Sequence, residues 1–162
     1  MEHNELLLRT AFCCMACDGS IASEEVEMIK QLSNVNNLFG DISIDYELHR
    51  LTHELKLKGK LLLKEYLSTL AGQDLSKEEE LAIANVAVQT IRADNNIEYS
   101  EIKFFKVIRA NLAKVSDEML IERIEGIDEN YLAQDIRTDY IQLHEDYFSS
   151  VNLSAIVTDM IE

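Results

Sequence analysis

Two short stretches of the 162-residue chain decide its fold: residues 17–25 read CDGSIASEE, and residues 93–101 read ADNNIEYSE. A shift of 76 residues, which carries Asp18 onto Asp94, superposes them. Both then follow one pattern: a small residue, Asp, two variable residues, Ile, three variable residues and Glu. A pattern that recurs at a fixed distance is typical of a domain built from related units, so the sequence predicts an internal repeat.

The apolar residues on either side of the two stretches follow the same shift. They recur at the spacing of one helix face, so each acidic turn is predicted to lie between two amphipathic helices. Each such hairpin leaves an apolar face that another helix must cover, and we predict that the two copies pack about a pseudo-two-fold axis. The aligned pairs are Leu7 with Ile83, Ala11 with Ala87, Phe12 with Val88, Val26 with Ile102, Ile29 with Phe105 and Leu32 with Ile108.

The rest of the pattern predicts an all-α fold: a single helical domain of about seven helices over residues 4–126. Gly59 separates two connecting helices, and Ser76 with Glu79 forms a capping box that starts another. Beyond residue 126 no helix or strand period is sustained, so residues 127–162 are predicted as a C-terminal extension of uncertain structure. The repeats cover about 4–38 and 76–113, the connecting helices lie within 45–72, and a short helix covers 117–125.

The composition is acidic, with a formal net charge of -15. Nucleic acid is not an expected partner, because its binders bring cations to the phosphates and the 15 Lys and Arg form no basic run. Contact with an anionic lipid surface is disfavoured for the same reason. A charged partner would therefore be a cation or a protein with a basic surface; alternatively, the acidity only keeps the domain soluble.

The chain start and the cysteines predict a cytoplasmic location. The first residues, MEHNE, lack the basic start of a signal peptide, and no stretch reaches the roughly 20 apolar residues that span a bilayer, so no membrane insertion is expected. The three cysteines, Cys13, Cys14 and Cys17, share one predicted helix and form no disulfide framework. The sequence leaves the oligomeric state open.

At the two acidic turns the sequence resembles the TerB-like family, named for a tellurite-resistance protein. The family signature is an Ala-Asp-Gly-x-Ile-x-x-x-Glu turn that occurs twice in an all-helical domain, and the resemblance covers roughly residues 4–126. The second copy has Asn95 in place of the glycine, a residue that also tolerates a left-handed turn.

The resemblance implies a non-enzymatic binding module, associated with stress or tellurite resistance, that has an acidic, divalent-cation-binding site. The positions carried over as metal ligands are Asp18, Glu25, Asp94 and Glu101. Calcium and magnesium need several oxygen ligands, and these four carboxylates would supply them.

A purely structural interpretation of the same residues stays open. If Ala22 and Glu98 are helix N-caps, Glu25 and Glu101 lie at the third helical position, where a carboxylate accepts the N-cap N–H. The two aspartates could likewise close Asx turns. The domain would then be a structural or adaptor module without a ligand.

The remaining motifs give no catalytic site. Cys14 and Cys17 have the spacing of a zinc or redox pair but lack a second pair, which favours a packing role. His49 and His53 share a helix face and are expected to face solvent. The second turn is not an EF-hand, because Phe105 stands where a bidentate Glu is required. A metal-dependent enzyme is the least favoured of the three hypotheses.

Overall fold

A computed structural model describes residues 2–37, 39–93, 97–127, 131–132, 140–151 and 157–158. Over these residues the chain is all-α, as predicted: eight helices surround one buried core, and a single pair of two-residue strands joins two distant segments. The helices are α1 His3–Ala16, α2 Ser23–Asn36, α3 Ile44–Lys58, α4 Lys60–Ala71, α5 Lys77–Arg92, α6 Tyr99–Ala110, α7 Asp117–Arg123 and α8 Tyr140–Ser150; the strands are β1 Ser20–Ile21 and β2 Val157–Thr158.

Two pairs of helices, each joined through an acidic turn, occupy the predicted positions: α1 with α2 is unit one, and α5 with α6 is unit two. The shift of 76 residues carries Ala16, the last residue of α1, onto Arg92, the last of α5. It also carries Ser23, the first residue of α2, onto Tyr99, the first of α6. The units therefore share helix boundaries, whereas the pseudo-two-fold axis that would relate them stays a prediction.

The first helices of the two units form the centre of the fold. Nearly all of α1 from Leu6 to its end is buried, and α1 packs along α5. A helix that is apolar on all sides belongs in a core, because no face of it favours water. Thr10, the polar residue in the middle of α1, bonds the carbonyl of Leu6 at 2.8 Å and the hydroxyl of Tyr66 at 2.7 Å. The remaining helices pack around this central pair.

Local signals placed the helix ends correctly. Gly59 alone connects α3 to α4, with a φ of 56° that favours glycine. Ser76 Oγ accepts from the backbone N–H of Glu79 at 3.1 Å, and Glu79 Oε1 accepts from the N–H of Ser76 at 2.9 Å. The predicted capping box is thus present at the start of α5.

The C-terminal extension adds a helix that the sequence analysis did not assign. Helix α8 packs against α6 and buries Leu143, Tyr147 and Phe148, followed by Val151. These four residues do have the spacing of one helix face, but the run is short and lies among polar residues. Farther along, β2 pairs in parallel with β1, with Val157 opposite Ser20. The described part of the extension therefore belongs to the domain.

Candidate functional site

The first acidic turn follows α1 directly. Asp18 is half-buried, and its Oδ1 accepts from the backbone N–H of Ser20 at 2.9 Å. This is the Asx-type bond that the structural interpretation expects. Gly19 has a φ of 85°, so its place in the signature has a backbone reason. Asp94, the equivalent candidate ligand in the second turn, lies outside the described residues together with Asn95 and Asn96.

The two glutamates of the signature lie at equivalent and buried positions. Glu25 is 3% exposed and Glu101 is 1% exposed. Glu25 Oε1 accepts from the N–H of Ala22 at 3.0 Å, and Glu101 Oε1 accepts from the N–H of Glu98 at 2.7 Å. Both carboxylates therefore satisfy an N-cap amide from the third helical position. Glu79, which is only partly buried, makes the same bond at α5, so the bond itself does not require full burial.

The carboxylates from both units act on the end of α1. Burial is the main cause that raises the pKa of the Cys17 thiol, and the negative charges of Glu101, Asp18 and Glu25 raise it further. The pKa of Cys14 is raised by burial and, among its neighbours, by the same two glutamates. Coulombic effects of this kind weaken with distance. The charges of Glu25, Glu101 and Asp18 therefore all act on the C-terminal end of α1.

These carboxylates do not by themselves form a metal cage. Within the described ranges, no set of three or more His, Cys, Asp or Glu side chains is arranged to hold a metal ion. Divalent calcium or magnesium takes six or more oxygen ligands, and backbone carbonyls commonly contribute. The contribution of Asp94, the fourth predicted ligand, stays a prediction, since Asp94 lies outside the described residues.

The cysteines are packing residues, as the sequence analysis favoured. All three are reduced and buried, and burial raises the pKa of Cys13 as well as those of its two neighbours. Cys17 Sγ also donates to the carbonyl of Cys14 at 3.1 Å. Because the thiolate is the form that binds metals and attacks electrophiles, thiols held in the neutral form are poor ligands and poor nucleophiles.

The two histidines of α3 and one surface cleft give no further candidate site. His49 and His53 are exposed on α3, and His49 Nδ1 lies 2.7 Å from the carbonyl oxygen of Asp45. A separate cleft of about 210 Å³ opens between the start of α1 and α3, below the roughly 300–1,000 Å³ typical of ligand pockets. Its lining consists of Glu2, Glu5, Leu8, Arg9, Ile42, Ser43, Glu47 and Leu51.

Sequence reasoning missed the residue that holds the first turn from outside the repeat. The Tyr147 hydroxyl of α8 donates to the carbonyl oxygen of Cys17, next to Asp18, at 2.6 Å. On the other side of the turn, Ser20 and Ile21 pair with β2. The C-terminal extension therefore contacts the first acidic turn both before and after Asp18. No spacing in the sequence relates residues so far apart.

Searches of protein-family models, of curated proteins and of solved structures give no match to this chain. The likeness to the TerB-like family thus rests on the two turns and their flanking helices. None of the helices that the structure describes is both long and apolar enough to cross a membrane.

Proposed function

We propose that this chain is a non-enzymatic binding module that holds a divalent cation, calcium or magnesium, at its paired acidic turns. The observation that carries the proposal is the burial of Glu25 and Glu101 at equivalent positions of the two units. A carboxylate covered from water loses its hydration, and a bound cation offsets that cost. The TerB-like resemblance adds the role in stress or tellurite resistance, and the chain start and the cysteines favour a cytoplasmic location.

A small ion fits these positions better than a basic protein surface does. Glu25 and Glu101 are almost completely covered, so a lysine or arginine of a partner could not reach them without displacing their surroundings. Asp18 is half-buried and stands nearer the solvent. A basic partner would therefore contact Asp18 and be attracted by the net charge of -15, whereas a small cation could bind Glu25 and Glu101.

The alternative function is a structural or adaptor domain with no ligand. It is favoured by the bonds that Glu25 and Glu101 make to the N-cap amides, because these bonds give both carboxylates a role in helix initiation. The two hypotheses differ in what the negative charge does. A capping role needs only an acceptor oxygen, whereas a cation site needs the charge.

Glutamine substitution separates the two roles, since a glutamine at the third helical position can still accept the N-cap bond. We expect calorimetric titration of the native chain with calcium, magnesium and zinc to detect binding of one ion. Its melting temperature should then rise by mass action, by an amount equivalent to about 2.7 kcal/mol at a concentration 100 times Kd. The double variant Glu25→Gln with Glu101→Gln should keep its fold and lose at least about tenfold in affinity, or about 1.4 kcal/mol.

Glu79→Gln is the matched control, because Glu79 makes the same capping bond on an exposed helix end. It should leave ion binding unchanged. The pair Asp18→Asn with Asp94→Asn tests the two aspartates of the signature in the same assay. If no ion binds the native chain, or if both double variants bind as the native chain does, the cation proposal is wrong and the structural alternative stands.

A further inference from the structure

The corner between α3 and α4 has a surface unlike the rest of the chain. Residues 56–64 read KLKGKLLLK and contain four lysines and no acidic residue, in a protein with twice as many acidic as basic side chains. The corner also exposes two leucines: Leu57 is 73% exposed and Leu61 is 52% exposed. We call this basic and apolar patch the lysine corner (residues 56–64). It departs from the expectation of no basic run and no contact with anionic lipid, which rested on the charge of the whole chain.

The other large hydrophobic side chains exposed in the described part of the chain have acidic neighbours in sequence. Each has an acidic residue directly beside it in sequence. By contrast, Leu57 lies between Lys56 and Lys58, and Leu61 follows Lys60. Tyr99 also has the Lys103 Nζ 4.6 Å from the centre of its ring, but only the two leucines of the lysine corner have a lysine and no acidic residue directly beside them in sequence. The acid-flanked side chains are Tyr46, Ile97, Tyr99 and Ile121.

Helix electrostatics explain part of the lysine corner and leave the leucines unexplained. Lys56 and Lys58 occupy the last turn of α3, where a positive charge complements the helix dipole. Lys60 Nζ donates to the carbonyl of Phe148 near the end of α8 at 2.7 Å, and Lys64 Nζ lies 5.1 Å from the centre of the Phe148 ring. Two lysines thus hold α8, and Lys58 Nζ forms an exposed ion pair with Glu65 Oε2 at 3.1 Å. None of these contacts gives a reason for two leucines to face solvent.

We propose that the lysine corner docks on an anionic lipid surface. Leu57 is three-quarters exposed, so it projects from the surface instead of lining a groove, and a projecting side chain can enter the headgroup region of a flat bilayer. The flanking lysines supply the attraction to anionic headgroups while their aliphatic stems cover apolar surface. An acidic protein partner would need a pocket shaped for the two leucines, which makes it the less favoured occupant.

The overall negative charge limits this docking to the corner itself. At physiological ionic strength, charges farther than about 8 Å from each other are largely screened. Acidic groups farther from the lysine corner than this distance therefore repel a bilayer only weakly, and Glu65 at its edge is paired with Lys58. Only shallow contact is implied, and it is independent of any ion at the acidic turns.

The test is cosedimentation of the full chain with vesicles of phosphatidylcholine, alone or with about one-third phosphatidylserine. We expect the chain to bind the vesicles that contain phosphatidylserine and not those of pure phosphatidylcholine. This binding should weaken as the salt concentration is raised. The double variant Leu57→Asn with Leu61→Asn should reduce the partition coefficient about tenfold. Lys56→Gln with Lys58→Gln should do the same and spare the two lysines that hold α8. All these positions are exposed, so the fold should survive, which circular dichroism would verify.

The controls change the same residue types elsewhere. Ile121→Asn removes an apolar side chain of matching exposure, 53%, from an acidic surrounding, and Lys77→Gln removes an exposed lysine from the start of α5. Both should bind as the native chain does. Absence of native binding, equal binding to both vesicle types, or equal losses in variants and controls would each overturn the proposal. So would self-association without vesicles that the leucine variant abolishes, since the corner would then be an interface between copies.

Discussion

In unit one and unit two the turn lies between helices that end and begin at equivalent residues, yet the C-terminal extension contacts a different part of each unit. In unit two, α8 packs on α6, where the rings of Phe104 and Tyr147 lie 4.9 Å apart. In unit one, the same Tyr147 reaches the turn and donates to Cys17, while β2 pairs with β1. Helix α8 therefore packs on the second helix of unit two and forms a hydrogen bond to the turn of unit one.

This difference teaches that equivalent sequence does not give equivalent surroundings. The 76-residue shift carries Met28 of unit one onto Phe104 of unit two. Met28 is half-buried, whereas Phe104 is fully covered between Tyr66 and Tyr147. Likewise the half-buried Ala93 is the counterpart of the fully buried Cys17. A repeat of two helices becomes one asymmetric domain because the extension covers a different part of each copy.

The largest expected effect comes from the residue beneath α8. Phe104→Ala should destabilise the domain by about 3–5 kcal/mol, because it removes a buried ring and leaves a cavity. Met28→Ala, the equivalent change in unit one, should cost about 1 kcal/mol, because the side chain is only half-buried. Urea unfolding of both variants measures the difference. Equal losses would mean that the extension does not set the two units apart.

The next effect concerns pH, since the thiols at the end of α1 have no counterparts in α5. Their pKa values are raised in the folded state, so above the ordinary value of about 8.5 only the unfolded chain ionises. Stability is then fully present below that pH and falls as pH rises above it, by about 1.4 kcal/mol per pH unit for each thiol. Cys17→Ala, which copies Ala93, should make the decline shallower by that amount.

Urea unfolding between about pH 7 and pH 9.5, under reducing conditions, measures this slope. Ala93→Cys is the reciprocal variant, and the new thiol should add less to the slope because its position is half-exposed. Identical slopes for the native chain and Cys17→Ala would contradict the assignment of the pH effect to this thiol.

The smallest expected effect concerns the hydrogen bond that fixes the first turn. Tyr147→Phe keeps the ring against Phe104 and removes only the hydroxyl that donates to Cys17, which should cost about 0.5–1.5 kcal/mol. Amide hydrogen exchange should speed up at Ser20 and Ile21 and stay unchanged at Glu101 in unit two, because the lost bond fixes only the first turn.

Tyr66→Phe is the control for that change, because it removes a buried tyrosine hydroxyl that bonds Thr10 instead of the turn. It should cost a similar free energy without changing exchange at Ser20 and Ile21. If both variants alter the first turn equally, the hydroxyl of Tyr147 has no special role there.

Local chemistry determined much of this protein, so it could be predicted from the sequence. Helix boundaries depend on residues within about one turn of each other, which is why the capping box at Ser76, the turn at Gly59 and the third-position glutamates were identified correctly. The sequence repeat could also be recognised, since one constant shift aligns both turns and the apolar residues on either side of them. The short apolar run of α8 was the local signal that went unused.

Only the tertiary structure decided how these parts meet. The approach of Glu25 and Glu101 to the end of α1, and the bond between Tyr147 and Cys17, join residues from different helices. The exposure of Leu57 likewise depends on which neighbours the fold places beside it. Periodicity and capping act over a few residues, whereas burial and electrostatic proximity depend on how the helices pack. The sequence by itself therefore determined the units, and packing determined the surroundings of each carboxylate.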